Sequence, residues 1–110
     1  MKPWIGIVMF RLKIYVASSL KDRRQVVRSL TERLKKRFNV SVADLGPDGL
    51  WNVVDMAISC VGSSHQEMES RIDQIFAFVE NDEENGEFEI LNTSREVLSY
   101  GHLQDRTSQP

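Results

Sequence analysis

Lys21, Arg23, Arg24, Arg28 and Lys35 fall within one stretch, Ser19 to Arg37 (SLKDRRQVVRSLTERLKKR). Side chains of this type recognise anions: a guanidinium forks onto two phosphate oxygens, and an ammonium meets them as a point charge. If the stretch is helical, its first free N–H groups and the Ser19 hydroxyl, with Lys21 beside them, can hold a phosphate. Arg11 and Lys13 add two more cations nearby in sequence, and Tyr15 and Trp51 offer aromatic surfaces on which an unpaired base can stack. The chemistry indicated is recognition of a polyanion, with no bond made or broken.

Residues for turnover are scarce. His65 and His102 are the only histidines, one beside a helix start and one near the end of the chain. Both read as surface residues. Cys60, the only cysteine, sits on an apolar strand face and reads as a small core side chain, and a lone cysteine forms no internal disulfide. The loop after the first strand, Ala17-Ser18-Ser19, has no Cys-x-x-Cys metal pair. Nor does it match a glycine-rich phosphate loop of the acylphosphatase kind, although Asn39 is present. Asp82, Glu83, Glu84, Glu87 and Glu89 lack calcium-loop spacing and read as solvating charge. No catalytic residue, metal ligand or cofactor is expected.

The elements that position the cations follow from periodicity. Ile5 to Val16 alternates, with Val8, Phe10, Leu12, Ile14 and Val16 on one side and Met9, Arg11, Lys13 and Tyr15 on the other, as in a half-buried strand. Leu20, Val27, Leu30 and Leu34, with Phe38 beyond, form a helical stripe, while Lys21, Arg24, Arg28 and Lys35 project elsewhere. Ser19 with Asp22 resembles a capping box. Phe38 to Leu45 reads as a second strand, Gly46-Pro47-Asp48-Gly49 as a turn, and Leu50 to Val61 as a third strand. Ser64 with Glu67 marks the start of a second helix through Met68, Ile72, Ile75, Phe76 and Val79, and a fourth strand lies within Phe88 to Leu98. The order β-α-β-β-α-β predicts an α+β, ferredoxin-like sandwich over residues 1–100, with two helices on one face of a four-stranded antiparallel sheet. Residues 101–110 read as a flexible tail.

At 110 residues, 41% hydrophobic and 27% charged, the chain is sized for one soluble domain. The net charge of −2 conceals an asymmetry. Met1 to Arg37 holds 11 Lys and Arg against 2 acids, and the remainder holds 3 against 14. Such a split suits a polyanionic partner for the basic part, or association of opposite patches between copies. The apolar run Trp4 to Phe10 is too short to span a membrane, and a reducing cytoplasm fits the cysteine usage.

The run SLKDRRQVVRSLTERLKKRFNVSVAD, followed by the Leu50-Trp51 pair, resembles the YlxP family of small bacterial proteins of uncharacterised function. The resemblance covers most of Val8 to Leu98 and implies the same ferredoxin-like fold. It also implies genes beside those for transcription and translation factors, ribosome-binding factor A among them. Ser18 stands where a histidine is common, Val53 where a polar or basic residue is usual, and Gly62-Ser63-Ser64 in place of a Ser-Asn-Asp turn.

Two functional readings stay open at this point, beside a weaker third, an enzyme acting on a phosphorylated small molecule at the helix start, for which no residue indicates turnover. The first is a cytoplasmic, non-enzymatic, ribosome-associated or RNA-binding domain whose basic helix meets ribosomal RNA or a ribosomal subunit. The second is a homodimer or larger homo-oligomer, a regulatory or adaptor module associating through its open sheet face. On the bland reading of the charges, Arg28 with Glu32 and Glu32 with Lys36 form ordinary i,i+4 pairs.

Overall fold

The computed structural model describes residues 2–15, 20–46 and 52–101, Leu20 and Lys21 by their backbone alone. Its elements are β1 (Trp4–Ile14), α1 (Leu20–Arg37), β2 (Ser41–Asp44), β3 (Val53–Gly62), α2 (His65–Glu83) and β4 (Phe88–Ser99). The sheet order is β2-β3-β1-β4 with every pair antiparallel. With both helices on one face, this is the ferredoxin-like α+β arrangement.

Alternation in β1 decides which face is covered. Val8, Phe10, Leu12 and Ile14 are buried beneath the helices, together with Val54, Met56, Ile58 and Cys60 from β3. Val27, Leu30 and Leu34 of α1 and Met68, Ile72, Ile75 and Val79 of α2 close the core from above. Each such side chain, fully buried, contributes about 1.5–3 kcal/mol from its apolar area. Cys60 is part of this packing, its Sγ 3.6 Å from the Met68 sulfur, and burial pushes its thiol pKa up. That is the behaviour of an inert core thiol.

Ser64 caps α2, its Oγ accepting the Glu67 N–H at 3.0 Å. The reciprocal half of the box reaches one residue further back than expected, because Glu67 Oε1 accepts from the Ser63 N–H at 2.8 Å. That bond is the main reason the Glu67 carboxyl is held below its usual pKa. The second strand is shorter than predicted: Phe38 and Val40 pack against the core without joining the ladder, which begins at Ser41. β4 carries an irregularity, its register against β1 slipping between Arg11↔Asn92 and Leu12↔Ile90, so that Leu91 is the extra residue.

The acids at the end of α2 are structural as well as solvating. Glu83 Oε2 accepts the Ile90 N–H at 2.7 Å, and Asp82 is nearly buried against Arg33. Val16 to Ser19, the turn residues Pro47 to Gly49, Trp51 and the tail from His102 lie outside the described residues.

Candidate nucleic-acid interface

The helical repeat places Arg23, Arg33, and the set Arg24, Arg28 and Lys35 on three different sides of α1. Arg23 falls three residues after Leu20 and four before Val27, a position on the core-facing stripe. It is only 5% exposed. Its Nη2 donates to Asp44 Oδ1 at 2.9 Å and its Nε to the Val53 carbonyl at 3.4 Å. The expectation that Arg23 contacts phosphate is therefore corrected: its guanidinium clamps α1 to the β2 end of the sheet. The helical spacing held the signal, since Arg23 occupies a core slot whatever its charge.

Arg33 falls on the flank that faces α2. It donates through Nη1 and Nη2 to both oxygens of Asp82, at 2.7 and 2.9 Å, and Asn85 Nδ2 donates to Asp82 Oδ1 at 3.0 Å. Burial alone would raise the Asp82 pKa. The hydrogen bonds from Arg33 and Asn85 and the charge of Arg33 outweigh it and hold the carboxyl below its usual value.

Arg24, Arg28 and Lys35 occupy the third side. They are exposed, lie within about 40° of one another around the axis, and extend about 16 Å along it on the flank away from α2. Among the described residues no carboxylate oxygen comes within 4.0 Å of their charged nitrogens. The i,i+4 pairs of the bland reading, Arg28 with Glu32 and Glu32 with Lys36, are absent among the described residues. Lys35, Lys36 and Arg37 occupy the last helical turn, where cations suit the dipole. The backbone of Lys21 lies in the first turn, and Ser19 lies outside the described residues, so the predicted phosphate cradle is not placed.

The open sheet face carries Arg11, Lys13 and Tyr15 as alternation predicts, but they do not join this cationic strip. Arg11 faces Asp55 across β1 and β3 and donates to both its oxygens, at 2.8 and 3.0 Å. Those hydrogen bonds are the main reason the Asp55 carboxyl is held below its usual pKa. Lys13 stands opposite Glu89 in the β1–β4 register. Tyr15 is exposed, its N–H donating to the Glu87 carbonyl, and partial desolvation followed by the Glu89 carboxylate pushes its phenol pKa up. A ring under the influence of the Glu89 and Glu83 carboxylates is a poor platform for a base on an anionic strand. Ile14 N–H donates to the Asn52 carbonyl, so β1 does end beside the start of β3. Trp51, the other aromatic surface the sequence offers for stacking, is outside the described residues.

Among the described residues no three His, Cys, Asp or Glu side chains gather in a way that would hold a metal. His65 packs edge-on to Trp4, ring centroids 5.3 Å apart, and lies 3.9 Å from Glu69. No described helix is long and apolar enough to cross a membrane.

The fold and this surface define the class: a small ferredoxin-like α+β domain with an exposed cationic helix flank. Residues 5–95 match the family described as "Protein of unknown function (DUF503)", and the chain belongs to it. It is similar to "Uncharacterized protein YlxP" of Bacillus subtilis (strain 168), 31% identical over 77 residues, covering 70% of this chain and 84% of that protein. Among solved structures, "De novo designed protein Foldit4" aligns with 92% of this chain and 99% of its own, at a TM-score of 0.47 and 13% identity.

Proposed function

We propose that this protein is a cytoplasmic, non-enzymatic RNA-binding domain that associates with ribosomal RNA or a ribosomal subunit through α1. The observation carrying this reading is the row Arg24, Arg28 and Lys35, exposed and without carboxylate partners among the described residues, in a protein whose net charge is −2. Cations kept unpaired in an acidic protein are placed for an external anion, and a row of them matches a repeating one. Phosphate contacts of this kind supply affinity and orientation and carry no sequence information themselves.

The reading is tested by cosedimentation with purified ribosomal subunits at two salt concentrations. The expected result is pelleting with one subunit at low salt that falls steeply at the higher concentration. Protein that stays in the supernatant at low salt contradicts it.

A second reading has its own observation. One end of the open sheet face gathers Ile5, Ile7, Met9 and Leu98 by register, and Ile7 and Val61 are exposed. An uncovered apolar patch on a small sheet suits self-association. Its signature is a sedimentation coefficient that rises with protein concentration, and a constant value removes it.

A further inference from the structure

The groove between α1 and α2 is separate from the flank just described. It is an open groove of about 440 Å³, a volume within the range of small-ligand sites. Its two walls differ in chemistry. α1 contributes Arg33, Lys36 and Arg37, and α2 with the turn after it contributes Phe78, Asn81 and Asn85. At its base the Arg33–Asp82–Asn85 network satisfies itself, so the Asp82 charge is already neutralised. Lys36 and Arg37 are exposed at the rim and have no carboxylate within 4.0 Å among the described residues. Phe78 is held edge-to-face against Phe38 at 5.8 Å between centroids, which fixes its ring without covering the groove.

We propose that this groove binds a nucleoside monophosphate unit, either a free nucleotide or one nucleotide of a single strand. The phosphate lies at the α1 rim against Lys36 and Arg37, and the base lies at the α2 wall against Phe78. A cationic patch alone would accept any anion. One wall of cations facing one wall of ring surface and amides selects an anion joined to a planar, hydrogen-bonding group. Asn81 presents a donor and an acceptor, and Asn85, one amide hydrogen of which is held by Asp82, adds its second N–H and its carbonyl for reading a base edge. This proposal does not rest on the α1 flank binding RNA, because a free nucleotide fills the groove without it.

The test titrates the full-length, isotope-labelled chain with adenosine monophosphate, a short single-stranded adenylate and inorganic phosphate. The Asn81 and Asn85 side-chain amide signals are followed by NMR. The nucleotide is expected to displace both signals and to bind at least fivefold more tightly than phosphate. Lys36→Ala with Arg37→Ala is expected to weaken it at least fivefold. Phe78→Leu, which keeps apolar volume and removes the ring, is expected to weaken it at least threefold while the fold is retained. Tenfold tighter binding of the adenylate assigns the unit to a strand, and equal affinities assign it to a free nucleotide; both sustain the proposal. Unmoved amide signals with both nucleotide and adenylate overturn it, as does phosphate binding as tightly as the nucleotide or a Phe78→Leu affinity equal to wild type. Loss of groove binding with the α1 flank still active, or the reverse, separates this site from the proposed RNA surface.

Discussion

Asp44→Ala is expected to destabilise the fold by about 3 kcal/mol, the lower end of what breaking a buried ion pair costs. The carboxylate accepts from Arg23 Nη2 and from the Gly46 N–H, both at 2.9 Å, so its removal strands a guanidinium whose side chain is 6% exposed. The Val53 carbonyl at 3.4 Å is then its one described protein acceptor. The lower end applies because the Asp44 side chain is 33% exposed and water can enter where it stood. Arg23→Met reverses the logic. It fills the slot with apolar volume and leaves a carboxylate that water reaches, for a cost expected at about 1 kcal/mol or less. Urea midpoints of the two variants check the order, and an Arg23→Met protein less stable than Asp44→Ala contradicts it. Arg23→Met is also expected to keep its RNA affinity, since the side chain it replaces is a fastener within the fold.

The second large effect is an asymmetry in the Arg33–Asp82 pair. Arg33→Ala leaves Asp82, whose side chain is only 9% exposed, with Asn85 as its remaining side-chain donor, and is expected to cost about 2–3 kcal/mol. Asp82→Ala releases a guanidinium whose side chain is already 41% exposed, and is expected to cost about 1 kcal/mol. The pH dependence follows from the lowered Asp82 pKa. A carboxyl held below its unfolded value, about 3.9, contributes stability that is fully present above that value and is lost as the pH falls through the lower folded one. Asp82→Ala and Arg33→Ala should therefore lose less stability than the wild type on acidification below about pH 5. Parallel stability-versus-pH curves for all three proteins contradict the assignment.

What could be read in advance was whatever one element decides locally. The alternation of Val8, Phe10, Leu12 and Ile14 shows which face of β1 is buried because the strand repeat leaves no other choice. Ser64 and Glu67 mark the start of α2 because a cap works over three residues. Partnerships across the fold were not readable. Nothing near Arg23 points to Asp44, 21 residues away, and nothing near Arg11 points to Asp55, 44 away. Residue type suggested free cations in both cases, and tertiary pairing decided otherwise. The slip of β4 at Leu91 depends on the register against β1 and has no local mark. The groove between the helices escaped notice for a similar reason. Lys36 and Arg37 suit the helix dipole whatever stands beside them, and they share a groove with Phe78 and Asn81 only once α2 lies against α1.

The claim that matters most is that Arg24 and Arg28 meet phosphates, and the slope of RNA affinity against salt reads this most directly. For wild type and the Arg24→Ala, Arg28→Ala double variant, log Kobs is plotted against log salt concentration, the variant first shown to keep the wild-type circular dichroism and urea midpoint. Two lost contacts are expected to flatten the slope by about 1.4–1.8 and to weaken binding most at low salt. Lines that superimpose contradict the account.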